Sequence, residues 1–93
     1  MFEWDESKAK RNLEKHGTSF EEAATCFDDN DIFLHHDVAH SGSEDRYFAI
    51  ARSSANRILA MAFTVRRDKS GEKIYRIISA RPASKREREI HSR

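Results

Sequence analysis

The stretch Ile74-Tyr75-Arg76-Ile77-Ile78-Ser79-Ala80-Arg81-Pro82-Ala83-Ser84 decides how the rest of the chain is arranged. Its β-branched and aromatic residues suit a strand, and Pro82 ends the ladder because it has no N–H to donate. Strict alternation places Ile74, Arg76, Ile78 and Ala80 on one face, and Tyr75, Ile77, Ser79 and Arg81 on the other. A guanidinium on a half-buried strand requires an anionic partner, since unpaired buried charge is costly. That anion is either a carboxylate of this chain or a phosphate brought by a ligand.

Working outward, Ser84 and Glu87 form a capping box for a last, basic helix reaching about His91. Upstream, the charged residues 66–72 make a hairpin loop, and residues 57–65 read as another strand. That strand alternates bulky Leu59, Met61, Phe63 and Val65 with the smaller row Ile58, Ala60, Ala62 and Thr64, which leaves room for a molecule to approach. Residues 46–52 and 32–36 supply two further strands. Before them, Phe20, Ala23, Ala24 and Phe27 fall at i, i+3, i+4 and i+7, a single apolar helical stripe. Thr18 with Glu21 and Ser19 with Glu22 are overlapping capping boxes at its start. Asp5 caps a first helix over residues 6–16, stopped by Gly17 and packed through Ala9 and Leu13. The order is two helices, four strands, one helix. Short connections between strands predict an α+β domain whose antiparallel four-stranded sheet carries its helices on one face.

Ninety-three residues make one domain that can bury a core without metals or disulfides. Cys26 is the single cysteine, which excludes an internal disulfide and suits a reducing compartment. No apolar run approaches the ~20 residues of a membrane span, and the start lacks a basic leader, so a cytosolic chain is expected. The net charge of +1 hides a division: residues 1–50 carry −7 and residues 51–93 carry +8. That division fits either a basic surface for an anionic partner or acidic helices lying against a basic sheet. His35, His36, Asp37 and His40 suggest a metal, but adjacent histidines on a strand point to opposite faces and the zinc spacing is absent, so none is assigned. Asp28, Asp29 and Asp31 lack the glycine and closing glutamate of a calcium loop.

Phe2-Glu3-Trp4-Asp5, Asn12-Leu13-Glu14-Lys15-His16-Gly17, Ser19-Phe20-Glu21-Glu22-Ala23 and Phe27-Asp28-Asp29 resemble the N-terminal half of BrnT toxins. Glu44-Asp45-Arg46-Tyr47, Arg76-Ile77-Ile78-Ser79-Ala80-Arg81 and Glu87-Arg88 resemble the C-terminal half. The chain departs from the pattern at Ala51 and Asn56, where glycines would flank a hairpin. The resemblance implies a RelE-like fold and a bacterial type II toxin acting as a metal-independent endoribonuclease that halts translation, with no cofactor. It also implies a BrnA-type antitoxin partner that neutralises the toxin and carries the DNA-binding part of the complex. The acidic half, with Phe33, Tyr47 and Phe48, is expected to include surface that a partner covers.

Cutting RNA without a metal uses the substrate's own 2′-hydroxyl. A base takes its proton, an acid protonates the leaving 5′-oxygen, and cations steady the charge on phosphorus. The arginine fork suits the last task; Arg81 is the first choice, with Arg46 and Arg76 as companions. An imidazole, ordinarily titrating at ~6.5, suits proton transfer, which points to His16. Lys15 would hold a phosphate or carry a proton, and Glu22 would act as base or orient an arginine. Arg52, Arg57, Lys85, Arg86 and Arg88 are candidates for tracking RNA. The plainer account is that Lys15 and His16 complement a helix dipole and that the strand arginines pair with internal carboxylates. A non-enzymatic nucleic-acid- or protein-binding module with the same basic face is the second expectation.

Overall fold

The computed structural model describes residues 1–93 apart from Ser41, Ser43 and the side chain of His40. Along the chain run β1 (Phe2–Glu3), α1 (Glu6–His16), α2 (Phe20–Thr25), a 3-10 turn (Cys26–Asp28) and β2 (Phe33–His36). After them come β3 (Asp45–Arg52), β4 (Ile58–Arg67), β5 (Lys73–Pro82) and α3 (Lys85–His91). The domain is α+β, but the sheet has five strands in the order β1-β5-β4-β3-β2 rather than four, and β1 runs parallel to β5. Two residues are too few to show a period, so no alternation marks β1. Phe2 nevertheless sits over Phe27 and Tyr75, with ring centroids 5.0 and 5.7 Å away.

The bulky row of β4 forms the core. Leu59, Met61 and Phe63 are buried beside Ala51 and Ala49 of β3 and Ala80 and Ile77 of β5, under Phe20, Ala23 and Cys26. Burying each large side chain contributes about 1.5–3 kcal/mol. Ser19 caps α2 by accepting from the Glu22 N–H, whereas the Glu22 carboxylate turns elsewhere, and Thr18 is buried with its hydroxyl on the His16 carbonyl. Of the three capping boxes, Ser84–Glu87 closes in both directions. Asn56 takes φ +62° in the β3–β4 turn, so an asparagine, which tolerates the left-handed region, stands where glycine was the expectation. Ala51 is fully buried in the core.

Two features depart from the alternating pattern. First, the register of β5 against β4 shifts beside Ala62 and Phe63: Ser79 opposes Ala62, while Ile77 opposes Phe63. Ile78 is therefore the extra residue of a β-bulge. Beyond it every side chain changes face, so Arg76, Ser79 and Arg81 share one side and Tyr75, Ile77 and Ala80 share the other. Second, α1 turns Asn12 inward, 8% exposed, and leaves Leu13 at 51%. The Asn12 amide donates to the Ala80 and Thr18 carbonyls (2.7 and 2.9 Å) and accepts from the Ala80 N–H (3.2 Å). A side chain thus completes the edge of β5 where β1 has ended. The helices are not all on one face: α3 reaches β3, and its Glu87 meets Arg81 on the side away from Phe20.

Replacing Asn12 by Ala leaves these buried backbone groups without partners, and the expected cost is about 2–3 kcal/mol. A denaturant midpoint within experimental error of the parent's would refute this account of the clamp.

Candidate active site

The second face of the sheet is laid out in rows by the strand register. Arg46 on β3 faces Thr64 on β4, which faces Arg76 on β5, which faces Glu3 on β1. The next row is His35, Phe48, Ala62 and Ser79, and the next is Phe33, Ile50, Ala60 and Arg81. Thr64 and Ala62 make a partly exposed floor between Arg46 and Arg76, whereas Ile50 and Ala60, in the row of Arg81, are buried. The Thr64 hydroxyl lies buried between Arg46 and Arg76 with no hydrogen-bond partner among the described residues.

Carboxylates hold these guanidiniums. Glu3 accepts from both Arg66 and Arg76 at 2.9 Å, and Asp37 lies 3.8 Å from Arg46. Glu87 takes Arg81 through two parallel bonds of 2.6 and 2.8 Å. The Arg81 bonds, opposed by burial, hold the Glu87 carboxyl down at about 2, with the Ser84 N–H helping; the Arg81 pKa is raised in return.

Lys15 and His16 stand elsewhere. They line an open cleft of about 330 Å³ beside the β5 edge, together with Lys8, Arg11, Asn12, Ile78 and Ser79. Arg81 is not among its walls. Ser79 is the link, since it lines this cleft and also stands beside Arg81 and Arg76 on the sheet face. Arg81 and the Lys15–His16 pair thus occupy adjoining surfaces separated by the bulge.

Glu22 is engaged by Arg57 through bonds of 2.6 and 3.0 Å and by the Ser53 hydroxyl at 2.6 Å. The Arg57 bonds keep its pKa low against the effect of burial. This knot ties α2 to the β3–β4 turn, and Arg57 also donates to the Gly17 carbonyl. Glu22 thus orients an arginine, and Arg57, though partly exposed, is committed to partners of its own chain. Arg52 bonds Asn56 through its side chain and Asp29 through its N–H. Arg88 donates to the Ala83 carbonyl, while Lys85 and Arg86 are exposed on α3. The adjacent histidines diverge: His36 stacks on Tyr47, and His35 belongs to the other face. No three His, Cys, Asp or Glu side chains converge on a metal position among the described residues; His40, included in that expectation, has its side chain outside them. The Cys26 thiol is pushed up to about 12 by burial and bonds the Ala51 carbonyl, which leaves it unreactive.

A family model described as the ribonuclease toxin BrnT of type II toxin–antitoxin systems matches residues 4–87. The chain belongs to the BrnT family. It is similar to the 1.1 Å crystal structure of the Brucella abortus ribonuclease toxin BrnT, at 26% identity and a TM-score of 0.62, over 91% of this chain and 99% of that one. None of the curated proteins compared with it matches. A BrnT-family chain is thus a ribonuclease toxin whose partner is an antitoxin, built on a three-helix, five-stranded mixed α+β fold. No helix of the described residues is long and apolar enough to cross a membrane. Within this BrnT-family chain, sequence reasoning missed Lys8, Arg11 and Ser79 as neighbours of the site. The spacing of Lys8, Arg11 and Lys15 at i, i+3 and i+7 was the available signal.

Because the folded-state pKa of Glu87 lies below its ordinary 4.5, its contribution is full above that value and is lost as pH falls toward 2. Unfolding free energies of the parent and Glu87→Gln should therefore converge through this window. A gap between them that stays constant down to pH 2 would contradict the assignment.

Proposed function

We propose that this chain is a metal-independent endoribonuclease that halts translation, cutting single-stranded RNA through attack by the substrate's own 2′-hydroxyl. The observation that carries this reading is the bulge at Ile78, which sets Arg76, Ser79 and Arg81 on the same face of the sheet as Arg46. A scissile phosphate lying over this floor meets two or more guanidinium forks, which suit the extra charge of a five-coordinate phosphorus. The 2′-oxygen bonds to phosphorus as the 5′-oxygen leaves, giving a 2′,3′-cyclic phosphate and a 5′-hydroxyl. One proton is removed from the nucleophile and one is delivered to the leaving group. His16 and Lys15, reached across Ser79, are the proton carriers of this scheme, and their cleft adjoins the arginine face.

The carboxylates on the arginines are compatible with this role. Arg76 and Arg81 keep 40% and 42% of their side chains exposed, so a phosphate can compete for each fork, at a greater cost for Arg81 because its partner Glu87 is only 17% exposed. Glu22 serves by holding Arg57. Lys85, Arg86 and Arg88 extend the cationic surface along α3, with Arg52 at the far end of the sheet. The partner in this reading is a BrnA-type antitoxin that supplies the DNA-binding part of the complex. The open edge strand β2, where Phe33 and Leu34 are exposed, is the kind of surface such a partner protects.

Purified chain incubated with RNA in EDTA should produce fragments ending in 2′,3′-cyclic phosphate. Arg76→Ala and Arg81→Ala should each lower the rate by about 10²–10³, and His16→Ala by about 10² or more, with folding intact by circular dichroism. Cleavage that requires an added divalent metal would overturn the mechanism. A folded parent that binds RNA and leaves it whole would identify a binding module instead.

A further inference from the structure

The arginines of the sheet face each have a carboxylate, but one group of cations does not. Lys8, Arg11 and Lys15 lie at i, i+3 and i+7, so α1 brings them together along one wall of the cleft beside β5. None of the three forms a salt bridge with any described residue. Asp5 feels the charge of Lys8, yet its carboxylate is committed to capping the helix.

This arrangement costs stability. Like charges at i+3 and i+4 repel by a few tenths of a kcal/mol per pair. Lys15 is favoured by the helix dipole, since it lies in the last turn, but Lys8 lies in the first turn, where the dipole disfavours a cation. A helix that needed only solubility had a better pattern available on its other side, where Glu6, Lys10 and Glu14 alternate in sign at i+4. An anion in the cleft removes the conflict.

We propose that Lys8, Arg11 and Lys15 form a track for the phosphate backbone of single-stranded RNA, leading past Ser79 onto the arginine face. The proposal rests on the ribonuclease reading and adds a binding site to it. The three residues span about 10 Å along the helix, so the track holds a run of backbone rather than one phosphate. Ile78 is the one large apolar side chain in the wall. That composition suits phosphates, which need cations and donors, better than a protein partner, which needs apolar anchors.

The test measures binding of a fully 2′-O-methylated RNA oligomer, which lacks the nucleophile and is not cut, across a range of salt concentrations. The double variant Lys8→Gln/Arg11→Gln should bind about tenfold more weakly. Its slope of log K against log salt should be shallower by about 1.4, or ~0.7 for each phosphate no longer neutralised. Lys10→Gln, which removes a charge from the opposite side of the same helix, should bind like the parent. Equal losses in the double variant and in Lys10→Gln would show general attraction only and overturn the track. Displacement of the RNA by polyglutamate at matched charge would overturn it in favour of an acidic polypeptide. A parent that binds through these residues but cuts no unmodified RNA would leave the track standing and remove the catalytic reading.

Discussion

One extra residue in one strand governs the arrangement of charge in this molecule. Arg76 and Arg81 are five positions apart, and in a regular strand an odd separation puts two side chains on opposite faces. One of the two guanidiniums would then turn to the core face, Arg81 opposite Leu59 or Arg76 opposite Val65, at a cost no neighbouring carboxylate there would offset. The bulge at Ile78 removes that conflict, but it also disrupts the ladder. Asn12 compensates from outside the sheet by bonding both backbone groups of Ala80. The same amide holds the Thr18 carbonyl, so one buried side chain ties the first helix, the loop after it and the bulged strand. The position of Lys15 and His16 relative to the sheet follows from this contact.

The division between an acidic first half and a basic second half has a largely internal explanation. Glu3 lies against Arg66 and Arg76, Glu22 against Arg57, and Glu44 against Arg66, in each case an acid of the first half on a base of the second. These pairs are partly exposed, so they hold geometry more than they add stability. The exception runs the other way: α1 is basic inside the acidic half, and its exposed cations Lys8, Arg11 and Lys15 have no such partner among the described residues. Charge totals alone could not separate these two situations, because both contribute to the same sums.

What was legible in the residues was periodic or chemically marked. The apolar stripe from Phe20 to Phe27, the two rows of β4 and the Ser84–Glu87 cap all came through, because burial enforces period and capping needs particular side chains. The parallel strand β1 did not, since two residues carry no pattern. The bulge did not either: nothing in Ile77-Ile78-Ser79 marks the position of the extra residue, which is set by pairing with Ala62 and Phe63 across the sheet. That single shift is why the candidate residues were nameable while their grouping was not. Leu13 and Asn12 show the same limit. Hydrophobicity favours turning Leu13 inward, whereas the unpaired edge of β5 at Ala80 makes the amide the better fit.

Glu87 shows how a held arginine remains available. It has two tasks, as the reciprocal member of the α3 capping box and as the partner of Arg81. If Arg81 turned toward another anion, Glu87 would keep the Ser84 N–H, and α3 would keep its cap. Burial of the carboxylate would then be supported by fewer bonds, which favours return of the guanidinium once the anion leaves. Arg57 is placed differently, because Glu22 and the Gly17 carbonyl hold its guanidinium between α2 and the β3–β4 turn, and Ser53 holds Glu22 in turn. Moving Arg57 would loosen that junction, whereas moving Arg81 releases only itself. The two arginines look alike in sequence, and the difference between a structural cation and one that can change partners lies in how much else depends on each carboxylate.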